Sequence, residues 1–413
     1  MAKTGYEDQH GCTWETCWTG GTLDENACDE CAENVSETLV CMDGGEAYCW
    51  ACLKKVFDVE YAEDRPKAVH ARGRVVRPAL CRVAQERCPA VRKEAVMTSE
   101  SKSLAPFIVG LQAAEPIGHL NLTLIPVIGD GNEGMDYVLG ADAIRDGALM
   151  ITEVGPGGRV PELLVTSTTE QMVLLLDGEE LVGAKQNRIL NTSVLLPPRA
   201  RTRIPVSCVE RGRWHRVSAR FAPGHYSPAR LRSSTCRHVG RNLRAFGRAT
   251  SDQAAVWNTV SHVLGETGTL SSTSAMHDAY QTRNSALKGY VNALPCPEGA
   301  RGVLVAIDGR FEAMDLLGKA DTMKIIWPRL VTAYALDALA RQKGRSEAFT
   351  PERASAVLGD LAGVPCQPCP SAGVGEDWRF ESGSLVGHAL VAEGQCVHLS
   401  AFRADCNSER RIR

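Results

Sequence analysis

The sequence predicts an α+β protein: a largely antiparallel, β-rich domain with a helical block, preceded by a small zinc-binding module. Three observations predict it. A chain of 413 residues exceeds one ordinary core. Short β-branched apolar runs give way to long stretches of helical period. Seven of the sixteen cysteines fall between Cys12 and Cys52. With 44% hydrophobic and 23% charged residues the composition is that of a soluble globular protein, not of a disordered or collagen-like chain. No apolar run approaches the roughly 20 residues needed to cross a bilayer, which excludes a membrane partner. The N-terminus lacks the basic and apolar regions of a secretory signal, so a cytoplasmic location is expected.

The first 60 residues form the expected module. Residues 1–65 hold 15 acidic and 4 basic side chains and few long apolar segments, so a metal rather than a core is expected to hold them. Cys28 and Cys31 are separated by two residues, as are Cys49 and Cys52, with 17 residues between the pairs. That spacing lets two tight turns present four thiolates to one Zn2+, a closed shell of structural type. In a reducing compartment such a cluster binds metal rather than forming disulfides. Cys12 and Cys17 precede the first pair, and Cys41 and Asp43 lie between the pairs, an order that permits a second, interleaved ion. The plain alternative makes Cys12, Cys17 and Cys41 buried thiols. The segment from Cys28 to Cys52 resembles a B-box zinc finger. The resemblance implies that Cys41 and Asp43 serve the second ion, and that the module docks a protein partner. Asp43 sits one residue closer to Cys41 than in that family and only His70 lies downstream, so Cys12, Cys17 or His10 would complete the set.

Residues 61–102 are basic and irregular and read as a linker. From about 103 to 413 the second domain begins with apolar runs separated by Gly, Pro and Asp. The runs are Phe107 to Val109, Leu120 to Ile128, Ala148 to Ile151, Leu163 to Val165, Met172 to Leu176, Ile189 to Leu196 and Arg203 to Val209. They predict strands of an antiparallel meander, interrupted by a helix near Tyr137 to Asp146. Helices are predicted over Pro228 to Phe246, Asp252 to Leu264, Ser274 to Leu294, Asp321 to Gln342 and Pro351 to Leu361, with a strand at Gly302 to Ile307. A closing hairpin over Gly383 to Phe402 turns at Glu393 to Gln395. Cys366 and Cys369, amid prolines, read as loop thiols.

The densest polar cluster follows the Met172 run: Asp177, Glu179, Glu180, Lys185, Gln186, Asn187 and Arg188, with Glu210 and Arg213 downstream. Charges between strands must face water or converge on a ligand, since burying them unpaired is costly. On a strand Cys208 and Glu210 would share a face. One reading makes the cluster a solvated turn with weak ion pairs. The other makes Glu180 and Glu210 acid/base carboxylates and Lys185, Gln186, Asn187, Arg188 and Arg213 the binders of an anion. Arg188 to Arg248 contains fourteen arginines, no lysine and Glu210 as its one acid, which tips the reading towards an anionic small molecule. His215, His225 and His238 match no metal spacing, and Trp214 reads as core or as a base-stacking platform.

The runs Gly178 to Asn191 and Ile204 to Trp214 resemble the ADP-ribosylglycohydrolase- and rhodanese-phosphatase-associated protein domain, over roughly residues 103–402. The resemblance extends to Gln253 to Trp257, to the Ser271 to Ser274 segment and to Gly387 to Phe402. It implies a link to ADP-ribose- or NAD-derived nucleotides and names no catalytic residue. The expected function is therefore a zinc-binding protein whose second domain binds a phosphate-bearing small molecule, as an enzyme that processes it or as a sensor. The alternative is a non-catalytic adapter that uses both domains as binding surfaces. Nucleic-acid binding through the arginine-rich stretch ranks last, because those arginines need not share one face.

Overall fold

In the computed structural model, residues 101–129, 135–155, 158–341 and 348–404 are described, together with four short strands before residue 50. Contacts divide the chain into two compact units, Met1–Ser99 and Glu100–Arg413. In the first unit the strands Gly5–Glu7, Thr13–Cys17, Thr38–Cys41 and Ala47–Tyr48 pair in sequence order as an antiparallel sheet. The expected zinc ligands Cys12, Cys28, Cys31, Cys49, Cys52 and Asp43, and the side chains of Cys17 and Cys41, lie outside the described residues.

The second unit is α+β, with large antiparallel sheets and, among the described residues, seven helices. Its largest sheet has ten strands. Across its middle, Glu376–Glu381, Leu385–Ala392, Gln395–Arg403, Arg310–Leu317, Ala300–Ile307 and Leu122–Ile128 pair in that order, every pair antiparallel. Side chains alternate between the faces with period two. Val303, Val305 and Ile307 join one core with helices Ala229–Phe246, Gln253–Glu266, Met276–Ala293 and Ala320–Leu339. Leu304 and Ala306 join another with helices Ala105–Ile108 and Pro351–Gly363. Both faces of the sheet are thus covered.

A six-stranded antiparallel sheet carries the two signature runs. In it Glu179–Gly183 pairs with Arg188–Leu190, which pairs with Arg201–Cys208. Tyr137–Leu139 and Met172–Leu175 form a parallel pair in a third, small sheet. Local chemistry fixes several ends. Asp252 caps its helix by accepting from the amides of Ala254 and Ala255. Gly247 closes the preceding helix at φ +65°.

Most runs expected from the sequence adopt the expected type, and the departures have local causes. Phe107 lies in the short helix Ala105–Ile108, where Pro106 occupies the first turn. Leu190 and Val194 belong to separate strands, because the chain turns at Asn191 to Ser193. Cys366 and Cys369 lie on the strand Pro365–Pro370, both buried. Burial pushes those thiols up to about 12 and about 11.

On its four-helix side the large sheet carries a polar stripe instead of an apolar one. Asp315, His398, Ser400, His388, Asp377 and Arg379 come from four adjacent strands and are all buried. Arg232, wholly buried in helix Ala229–Phe246, donates to Asp177 at 3.0 and 3.1 Å, to Asp315 at 2.9 and 2.6 Å, and to Ser400 at 2.8 Å. Tyr226 and Phe402 flank its guanidinium at 4.8 and 5.1 Å. Burial alone would raise the Asp177 and Asp315 carboxyls, but Arg232 together with the neighbouring histidines outweighs it and holds both below the usual range. Removing one partner of a buried pair leaves an uncompensated charge. The substitution Arg232→Met is therefore expected to destabilise the unit by about 3–5 kcal/mol, read by chemical denaturation. A loss below about 1 kcal/mol would show that the guanidinium is not the tie described.

Candidate functional site

The signature strands bring the expected residues into one region, in three groups. In the first, Arg213 donates to Glu210 at 2.8 and 2.6 Å, to Asn187 Oδ1 at 3.0 Å and to the carbonyls of Ala184 and Gly183. Glu210 also accepts from the Asn187 amide and the Thr273 hydroxyl. Burial would raise the Glu210 carboxyl, but these donors outweigh it and hold it below its ordinary value. Glu210 and Arg213 thus clip two loops together. The strand Arg201–Cys208 ends before Glu210, so Cys208 and Glu210 meet different partners rather than one shared space.

The second group surrounds Arg188. Cys208 donates to Gln186 at 2.8 Å, and Arg188 contacts both Gln186 and Cys208. Glu153 lies 3.9 Å from the Arg188 guanidinium, whose Nε and Nη2 atoms are buried without a hydrogen bond. Burial, reinforced by Arg213 and opposed by Glu153, lowers Arg188 to about 10. Trp214 is not core: it is 43% exposed, with Lys185 Nζ at 5.1 Å and Arg188 Cζ at 5.5 Å from its ring centroid.

The third group centres on Glu180, which is fully buried, as the core positions of its strand are. Its Oε2 lies 3.0 Å from His277 Nδ1 and accepts from the His225 amide, while Oε1 makes no hydrogen bond. His277 opens the helix Met276–Ala293 and remains partly exposed. The His225 ring stacks on Tyr280 at 4.2 Å and sits 5.0 Å from His277. Burial, with His277 and Arg329 nearby, depresses His225 to about 4. The Glu180 hydrogen bond raises His277 above its ordinary value against burial. The two neighbouring imidazoles are therefore driven in opposite directions. Gly224 makes room for this arrangement, since a Cβ there would stand 2.6 Å from Glu180 Oε2.

Sequence reasoning missed His277, whose helical position carries no motif signal. It also missed Asp315, Asp377, His388 and His398. Asp177, His388 and His398 form a buried group whose ligand atoms lie within 4.8 Å of one another and could hold a metal ion. A cavity of about 430 Å3 lies elsewhere, lined by Tyr137, Asp142, Lys319 and Thr322 among others. The fourteen arginines do not form a single exposed face. Arg188, Arg213 and Arg232 are buried, and Arg237, Arg241 and Arg244 gather around Glu381. Among the described residues no helix is long and apolar enough to cross a membrane.

Residues 110–402 match the model of one family, the ARG and Rhodanese-Phosphatase-superfamily-associated Protein domain. The chain belongs to that family. No curated protein and no solved structure matches it. The family's association with the ADP-ribosylglycohydrolase and rhodanese-phosphatase superfamilies loosely fits a nucleotide-related role.

The histidine pair gives a direct expectation for pH dependence. A histidine raised in the fold stabilises it fully below the unfolded value of about 6.5, and that contribution fades as pH climbs through the folded value. A depressed histidine acts oppositely: stability falls as pH drops from about 6.5 towards the His225 value of about 4. Ring-proton NMR titration should place His277 above 6.5 and His225 near 4, and Glu180→Gln should bring His277 down. Two unshifted titrations would overturn this electrostatic account.

Proposed function

We propose that the Glu100–Arg413 unit binds, and processes, a phosphate-bearing small molecule of the ADP-ribose or NAD-derived class. One observation carries the reading: two half-buried imidazoles, His277 and His225, stand 5.0 Å apart with pKa values driven in opposite directions beside the Glu180 carboxylate. Environments that split a pair of titratable groups are how one site provides both an acid and a base near neutral pH. His277 then exchanges the proton with the substrate, and Glu180 orients it. Glu210 acts at one remove: its bonds to Arg213 and Thr273 anchor the segment that leads into His277. Lys185 and Trp214 offer a cation and an exposed ring to a phosphate and a base, backed by Arg188, Gln186 and Asn187. Arginine-rich composition and the family's association support the anionic, nucleotide-like class.

The amino-terminal cysteines Cys28, Cys31, Cys49 and Cys52 are proposed to hold one Zn2+, with Cys12, Cys17, Cys41 and Asp43 available to a second. The module would recruit a protein partner in the cytoplasm. A non-catalytic adapter is the alternative, and the exposed apolar side chains of Trp214 and Val217 favour it.

ADP-ribose, NAD and related nucleotides are the probes that separate the readings. A ligand at about 100 times its Kd stabilises the native state by about 2.7 kcal/mol, visible as a rise in Tm. Lys185→Ala and Trp214→Ala should abolish the rise. His277→Gln should keep it while lowering turnover by about 10²–10⁴-fold. No rise with any of these nucleotides would sink the enzyme reading and leave the adapter.

A further inference from the structure

We propose that Asp177, His388 and His398 hold a divalent transition-metal ion inside the second unit, in a structural site separate from the His277 region. The donors come from three places in the chain: the turn after Met172–Leu175, the strand Leu385–Ala392 and the strand Gln395–Arg403. Asp177 Oδ1 lies 3.4 Å from His388 Nε2 and 3.6 Å from His398 Nδ1. Those separations are long for hydrogen bonds. They match the edge of a tetrahedron built on bonds of about 2.0–2.1 Å, which is about 3.4 Å.

The unsatisfied groups point the same way. Both ring nitrogens of His388 are buried without a hydrogen bond, although the residue is only 1% exposed. Each faces a carboxylate at 3.4 Å, beyond a good hydrogen bond, and an ion between Nε2 and Asp177 would give the ring a close partner. The far nitrogen of each histidine faces a carboxylate: His388 Nδ1 lies 3.4 Å from Asp377 Oδ1, and His398 Nε2 lies 3.3 Å from Asp315 Oδ1. A carboxylate behind each ligating imidazole is the usual outer shell of a metal site, fixing the tautomer and raising basicity.

Charge agrees. Asp177, Asp315 and Asp377 are opposed by Arg232 and Arg379, which leaves the buried group one cation short when both histidines are neutral. Asp177 Oδ1 also accepts from Arg232 at 3.1 Å and Ser400 at 2.9 Å, so it would bridge guanidinium and ion. Ser193 Oγ hydrogen-bonds His398 Nδ1 at 2.7 Å, a contact that ligation by the same nitrogen would replace. Two imidazoles and a carboxylate suit zinc, iron(II) or nickel rather than calcium or magnesium. The three ligands are at most 3% exposed, which favours a structural role over a catalytic one.

Metal content of the full chain, with Cys28→Ser and Cys49→Ser introduced to remove the proposed thiolate site, tests the proposal. About one equivalent of metal is expected to remain and to disappear on adding His398→Ala. Cobalt loading should give visible d–d bands without a thiolate charge-transfer band. Should His398→Ala fail to fold, Asp377→Asn keeps all three ligands, and chelator competition should show metal binding weakened about 10–100-fold. A metal-free chain whose His388 is an imidazolium by NMR would overturn the proposal, because a proton would then supply the missing charge. So would a metal affinity that Asp377→Asn leaves unchanged.

Discussion

Three acids within four residues, Asp177, Glu179 and Glu180, are the tie on which the second unit depends. All three are buried, and each meets a basic partner on a different helix. Asp177 binds Arg232 of Ala229–Phe246, Glu179 binds Arg329 of Ala320–Leu339, and Glu180 binds His277 of Met276–Ala293. A carboxylate in an apolar interior is tolerated only when paired and hydrogen-bonded. The turn can therefore exist in its folded form only when three helices have docked. Conversely, the helices dock in one register, since sliding any of them would strand a charge. Polar contacts of this kind specify geometry more than they add net stability.

The backbone reinforces that arrangement. Gly178 adopts φ +76°, and a Cβ there would stand 2.7 Å from the Arg232 side chain. Its amide donates to Leu190 and its carbonyl accepts from Ser227, so the same residue joins the turn, the neighbouring strand and the start of helix Ala229–Phe246. The signature run is long because it meets several demands at once: close backbone approach, three buried acids and the clip at Asn187.

Much of this fold was legible in the sequence, and the failures share a physical cause. Helices such as Ala229–Phe246 and Ala320–Leu339 announced themselves by period, and the hairpin of Leu385–Ala392 and Gln395–Arg403 by its Glu393-Gly394 turn. The buried stripe did not. His398 and Ser400 alternate with Leu399 and Ala401, the pattern of an ordinary strand with one wet face. Only the covering helices make that face interior, and no local window contains them. His277 was invisible for a related reason, because its meaning comes from Glu180, 97 residues away. Within the charged signature Glu210 and Arg213 pair with each other, and Lys185 and Trp214 lie nearer the surface.

The histidine pair and the structural tie are consequently one construction. Glu180 follows Glu179 directly, and the two carboxylates reach different helices from adjacent positions because successive side chains on a strand point to opposite faces. Glu179 secures the strand through Arg329, while the Arg329 charge also helps keep His225 neutral. Glu180 can then hold His277 from a fully buried position, with Gly224 supplying the space that any larger residue would fill. In the proposed reaction, an imidazole oriented in this way would lose little freedom on meeting a substrate, the advantage of building such groups on packed elements rather than on loops.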